Sequence, residues 1–229
     1  MSDGMDFERA FYPFLNDRAH GAAEPVAALL ASVRASTLAK CKEVVTLRTE
    51  ILAEFGDQLE RAADAMAERF ARGGKLIAFG NGGSATDADD AASDCMAPPR
   101  REWRALPALS LSADSATVTA LANDVGLESV FARQLAALGG SDDIAFGLST
   151  SGNSANVVAG FSEAKRRGML TIALTGYDGG AVARANAVEF CFVARREFVP
   201  RIQEGHATLW HALLGLTHDA LANRSAVIA

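Results

Sequence analysis

Cysteine is scarce in this sequence: Cys41, Cys95 and Cys191 are odd in number, far apart and never arranged as CxxC. That spacing argues against a disulfide framework or a zinc knuckle and predicts reduced thiols, read as packing residues, in a cytoplasmic protein. A surplus of positive charge is also missing. The formal net charge is −6, so no basic footprint supports direct nucleic-acid binding, and a small anionic ligand would need local donors. No apolar run approaches membrane-spanning length, and the acidic start MSDGMDFERAFYPFLNDRAHG has neither a basic leader nor a long apolar core. Neither a membrane span nor a secretory signal is expected. Prolines number only six, no linker rich in Pro, Gly or Ser divides the chain, and no internal repeat is visible.

What remains is an ordinary globular composition, 49% hydrophobic and 22% charged over 229 residues, enough for one large α/β domain with an appended helical part. From about Glu24 to Arg72 apolar residues recur at helical spacing and predict two helices. A strand is expected from about Leu76. Further strands are expected in LPALSL (106–111), DIAFGLS (143–149), LTIALT (170–175) and AVEFCFV (187–193), with helical segments between most of them, including SATVTALANDVGLESVFARQLAAL and NSANVVAGFSEAKRRG. A last helix is expected over roughly 203–221. Strands alternating with helices predict a doubly wound, mainly parallel sheet of about five strands flanked by helices.

In such folds ligands sit at the carboxyl ends of strands, which puts weight on two loops. GNGGS, Gly80 to Ser84, follows the first strand; its glycines allow close backbone approach, and the helix after it aims free N–H groups at the same place. It also fits GxGxxA through Gly80, Gly82 and Ala85, so a dinucleotide reading stays open. STSGNS, Ser149 to Ser154, again lies between a strand and a helix. A helix cap needs one hydroxyl; the four of Ser149, Thr150, Ser151 and Ser154 suit a phosphate monoester better. A third feature is the gathering of Asp87, Asp90 and Asp94 near one helix face. Like charges at that spacing repel, so the cluster faces water, holds a cation or shares protons.

GNGGS, ANDVGLESVFARQL, GLSTSGNSANVV, TIALTGYDGG and RIQEGH followed by WHALL, in this order, resemble the sugar isomerase (SIS) domain proteins, and among them the sedoheptulose-7-phosphate isomerases, also called phosphoheptose isomerases. The resemblance covers about Val44 to Leu221. It implies a five-stranded parallel sheet, a homotetramer with the first helices in its core, and interconversion of sedoheptulose 7-phosphate with an aldose phosphate. On this reading residues 1–23 are an N-terminal extension, docking on the body, and 24–229 are the SIS domain with its leading helical segment.

By the same resemblance, Asn81, Gly82, Gly83 and Ser84 contact the sugar, Asn123 and Asp124 lie beside it, and Ser149, Thr150, Ser151 and Ser154 hold its phosphate. Metal-bound relatives hold zinc with a histidine and a glutamate on one helix and a glutamine and a histidine on the last. Gln203 and His211 match the second pair. Asp90 and Asp94 stand where the family has histidine and the glutamate base. The resemblance thus implies a divalent metal, zinc among the candidates, on Asp90, Asp94, Gln203 and His211, with Asp94 as base and His211 as acid. The two aspartates make the set richer in oxygen, suited also to manganese or magnesium. Gln203 and His211 are ~12 Å apart along a regular helix, too far to share one ion unless their side chains converge. Two alternatives remain: a silent SIS protein that binds a sugar phosphate or a protein partner, as relatives associating with the replication initiator do, and the dinucleotide enzyme, which leaves STSGNS unexplained. His206 and His218 are read as surface or interface residues.

Overall fold

In a computed structural model that describes residues 26–228, with side chains to residue 224, the chain runs as helix α1 (Val26–Ala71), β1 (Leu76–Phe79), α2 (Gly83–Met96), β2 (Ala108–Ser110), α3 (Ser115–Val125), a 3₁₀ turn (Leu127–Ser129), α4 (Val130–Leu138), β3 (Ile144–Ser149), α5 (Ala155–Arg166), β4 (Leu170–Gly176), α6 (Gly180–Arg184), β5 (Phe190–Ala194) and α7 (Val199–Ile228). Residues 1–23, read as an extension, lie outside the described residues. Two compact units divide at Glu43 and Val44. Of the first, residues 26–43 are described, and they are helical. The second contains the whole sheet.

All four strand pairings are parallel, in the order β2-β1-β3-β4-β5. β1, β3 and β4 are buried at every position, which is why they read as unbroken apolar runs in the sequence. Alternate side chains of the sheet feed two cores. Leu76, Ala78, Phe146 and Ile172 pack with α1 residues such as Ile51 and Phe55, with Ala91 and Cys95 of α2, and with Leu209 and Leu213 of α7. Ile77, Phe79, Ala145 and Ala173 pack instead with Phe131 and Leu135 of α4 and Val157 and Phe161 of α5. After β1 the chain runs outward to β2 and then returns to β3, so strand order reverses between β1 and β3. Loops 80–84 and 149–154 leave the carboxyl ends of those two strands, which is where a doubly wound sheet opens a crevice for ligands.

Two helix boundaries differ from expectation. The front is one helix of 46 residues, not two. It contains no proline, and its one glycine, Gly56, costs only ~1 kcal/mol relative to alanine, too little to break a helix held by packing. The segment 115–138, by contrast, is broken at Gly126, whose φ of 94° belongs to the left-handed region, and the chain turns there through the 3₁₀ turn into α4. Asp114 starts α3 by accepting hydrogen bonds from the N–H groups of Ala116 and Thr117 at 3.0 and 3.2 Å. The dinucleotide reading calls for an acid after the second strand to bind ribose, and Asp114, the acid found there, is engaged as a helix cap.

The cysteines separate by environment. Cys95 is buried, and burial followed by the charge of Asp94 pushes its thiol up to about 12, so it stays protonated. Cys191 is half-buried, and Cys41 is exposed on α1, so only the first two are packing residues.

Candidate active site

The hydroxyl loop is built from the end of β3 and the start of α5. Ser149 is buried and its Oγ lies 3.0 Å from Ser154 Oγ, so the two hydroxyls at the ends of the loop form a pair. Ser154 occupies the cap position of α5 yet its side chain makes no cap hydrogen bond. Its hydroxyl is therefore not consumed by the helix, as the cap explanation of this motif requires, and the α5 N-terminus keeps N–H groups and a positive dipole end for an anion. Ser151 Oγ accepts from the Asn153 N–H at 3.2 Å, and Asn153 Oδ1 accepts from the Ala181 N–H at 2.9 Å, which ties the loop to the start of α6. Thr150 and Ser151 are half-buried.

The glycine loop is joined to this one by a contact that sequence reading missed. Asn81 Nδ2 donates to Asn156 Oδ1 at 2.8 Å while Asn156 Nδ2 donates to Asn81 Oδ1 at 2.9 Å. This reciprocal amide pair leaves each side chain further lone-pair and N–H capacity for a ligand. Gly82 and Gly83 are exposed, whereas Ser84 is buried, with its N–H donated to the Asn81 carbonyl at 3.0 Å. A side chain at Gly83 would collide with the Gln203 amide, its Cβ falling 2.4 Å from Nε2, so glycine here lets α2 begin directly against α7. Asn123 and Asp124 are exposed at the end of α3, where Asn123 Nδ2 donates to Asp124 Oδ1 at 3.0 Å.

The acidic residues of α2 meet α7 in two separate places. Gln203 Nε2 donates to Asp87 Oδ2 at 3.3 Å. Eight residues further along α7, His211 Nε2 lies 3.7 Å from Asp94 Oδ2, and that same oxygen accepts a hydrogen bond from Trp210 Nε1 at 2.9 Å. The helices thus run side by side in the same direction, and the seven-residue interval from 87 to 94 matches the eight-residue interval from 203 to 211. Burial pushes the Asp87 carboxyl above its ordinary value; the hydrogen bond from Gln203 pulls it back, and the charge of Asp90 adds a further upward push. Asp90 itself is exposed.

A cavity of about 80 Å³ lies between these elements, lined by Asp87, Asp90, Leu148, His206, Trp210 and His211. One lining residue, Leu148, directly precedes Ser149 at the end of β3, so the cavity lies near the carboxyl end of the strand from which the hydroxyl loop leaves. A larger cavity of about 650 Å³ opens beside β2, lined by Leu109, Thr117, Leu121, Arg133 and Leu138 among others. Volume favours the second; acid–base chemistry is concentrated at the first, and chemistry identifies the site.

His206 and His218 are not surface residues; both are buried. His206 follows Ile202 by four residues and precedes Leu209 and Leu213 by three and seven, so it shares their core-facing side of α7. Its Nε2 lies 2.9 Å from the Thr175 carbonyl and must be the donor to it. His218 stacks on Trp103 with the rings 5° from parallel and 4.5 Å apart.

The metal ligands expected by resemblance, Asp90, Asp94, Gln203 and His211, do not converge on one point. Gln203 is turned to Asp87, Asp94 is held by Trp210, and among the described residues no group of three or more His, Cys, Asp or Glu side chains is disposed to hold an ion. The arrangement does not fit a cation at those four residues, and the chemistry below uses the side chains alone.

The sequence profile of the SIS domain matches residues 41–176. The phosphoheptose isomerase of Thermodesulfovibrio yellowstonii is 41% identical over 180 residues, which is 79% of this chain and 89% of that protein. Among solved structures, the phosphoheptose isomerase of Neisseria gonorrhoeae superposes with a TM-score of 0.73 at 34% identity, covering 80% of this chain and 97% of the other. That of Francisella tularensis gives 0.75 at 31%, covering 82% and 98%. Fold, loop placement and similarity over nearly the whole length of these relatives agree: the chain belongs to the SIS domain family, and within it to the phosphoheptose isomerases, which are aldose–ketose isomerases.

Proposed function

We propose that this protein interconverts sedoheptulose 7-phosphate and D-glycero-D-manno-heptose 7-phosphate through an enediol. The observation that carries the reading is the Asp94–His211 pair, 3.7 Å apart, with His211 lining a cavity near the carboxyl end of β3. Asp94 takes a proton from C1 of the ketose while His211 supplies one to the C2 carbonyl oxygen, giving the 1,2-enediol. Loss of the O1 proton and protonation of C2 then yield the aldose, with no net change in oxidation state. Groups positioned in this way contribute ~10²–10⁴-fold to such proton transfers. The cavity of about 80 Å³ has room only for the reacting end of a seven-carbon sugar, and on this reading the phosphate lies outside it, on Ser149 to Ser154. Grip on that remote group orients the carbonyl end and raises turnover.

Incubation of the purified chain with sedoheptulose 7-phosphate, with and without divalent cations, followed by NMR for aldose formation, tests the reading. Saturable binding without conversion would replace it by the silent-binder reading, against which the retained carboxylate–imidazole pair argues. Replacing Ser151 and Ser154 together by alanine is expected to weaken sugar-phosphate binding by at least about tenfold, since hydrogen bonds to a charged group are worth ~1.5–3 kcal/mol each. Calorimetric titration measures this, and an unchanged affinity would place the phosphate elsewhere.

We further infer a homotetramer in the cytoplasm. α1 leaves Leu29, Leu30, Val33 and Leu38 more than half exposed, an apolar stripe that a second copy of the chain would cover. A single-chain mass in sedimentation equilibrium would refute the assembly. No helix among the described residues is long and apolar enough to cross a membrane.

A further inference from the structure

An aspartate base such as Asp94 is one methylene shorter than a glutamate, and short reach at a base is costly, because a misplacement of about 1 Å can lower a rate by ~100-fold. The structure supplies a counterpart from α7. Trp210 is buried, its ring packs on Phe146 with centroids 5.1 Å apart, and its Nε1–H donates to Asp94 Oδ2 at 2.9 Å. Indole has a single N–H, fixed in direction by the packed ring, and it can only donate. It therefore anchors one carboxylate oxygen and leaves Oδ1 free to accept a proton. A cation on Asp94 Oδ2 would have to displace this N–H or crowd against it.

We propose that Trp210 is a positioning residue for Asp94: its indole N–H holds Oδ2, leaves Oδ1 as the proton acceptor and opposes a cation bridging both carboxylate oxygens, so that this site holds its base without a metal. The proposal rests on the acid–base reading of Asp94, but its geometry can be tested without turnover.

The chain has two tryptophans, Trp103 and Trp210, hence two indole N–H signals in ¹⁵N-correlated NMR of the full-length protein, assignable with Trp103→Phe. Asp94→Ala should move the Trp210 signal upfield and leave that of Trp103 in place. Added Mn²⁺, which broadens nearby resonances, should leave the Trp210 signal sharp. Metal analysis of the untreated protein should find far less than one divalent ion per subunit, and chelation should not change sugar-phosphate affinity. Trp210→Phe, which keeps the ring and loses the N–H, should lower kcat by about 10- to 100-fold with KM within about twofold.

An immobile Trp210 signal in Asp94→Ala, selective Mn²⁺ broadening of that signal, a stoichiometric ion removable only with loss of sugar-phosphate binding, or full kcat in Trp210→Phe would each overturn the proposal. If the parent protein converts no sugar phosphate at all, the functional reading fails, while the NMR and metal measurements still decide the role of Trp210.

Discussion

On the proposed mechanism, His211→Ala is expected to lower turnover of sedoheptulose 7-phosphate by about 10²–10⁴-fold, the range for loss of a positioned acid–base group, and to leave the fold intact. The second half follows from its surroundings. The His211 side chain is 67% exposed, and its charged neighbour, Asp94, retains the Trp210 hydrogen bond when the imidazole is gone. Truncating such a side chain removes little packing, so the melting temperature should stay within about 2 °C of the parent. Steady-state kinetics with thermal melts of both proteins check the pair of outcomes. Undiminished kcat would remove His211 from the mechanism, and a large drop in melting temperature would make it structural.

Acidification from pH 6.5 to pH 4 is expected to destabilise the fold, with the buried His206 alone contributing on the order of 3 kcal/mol. Its imidazole has no solvent exposure, and burial pushes its pKa down from 6.5 to about 4, against a smaller upward pull from the Thr175 carbonyl. The sign follows from which state takes up the proton first. Below pH 6.5 the unfolded chain protonates this histidine while the folded one does not, so stability present near neutrality is lost as pH falls through the window between the two values. The drop from 6.5 to about 4 corresponds to roughly 3 kcal/mol, a large part of the roughly 5–15 kcal/mol typical of a whole domain. His218, also lowered chiefly by burial and then by the charge of Arg104, acts in the same direction. Asp87, whose folded value is raised, acts in the opposite direction at the acid end of the window, because the folded protein then holds its proton more tightly. Urea denaturation at several pH values measures the slope. His206→Gln, which keeps an amide donor for Thr175 without a titrating ring, should flatten it. A parent protein equally stable at pH 7 and pH 4.5, or a variant with the parent's slope, would contradict the assignment.

The three central strands were legible because they are buried on both faces: a strand such as IAFGLS has no polar alternation to disguise it, and a serine- and glycine-rich loop marks its end. The position of the hydroxyl loop was legible too, since an apolar run passes into four hydroxyls just before a helix starts. The break at Gly126 was less visible because glycine within a helical pattern signals a stop only when its backbone is left-handed, which depends on how α4 must pack. Burial of His206 did carry a signal, its helical spacing from Ile202, Leu209 and Leu213, but its polarity suggested the surface. The Asn81–Asn156 and Trp210–Asp94 contacts join residues 75 and 116 positions apart, and only the assembled layers set those distances. For the four expected metal ligands, ~12 Å of helix rise between Gln203 and His211 was the warning, and the structure resolves it by giving each a different carboxylate partner.

The matched intervals on α2 and α7 act like the teeth of two racks. Inserting or deleting one residue between Gln203 and His211 would swing everything beyond it by ~100° and slide it by ~1.5 Å, disengaging Trp210 and His211 from Asp94 together. Drift along this part of α7 can therefore exchange side chains freely on its outer surface, whereas any change in its length severs the contacts of Trp210 and His211 with Asp94 in a single step.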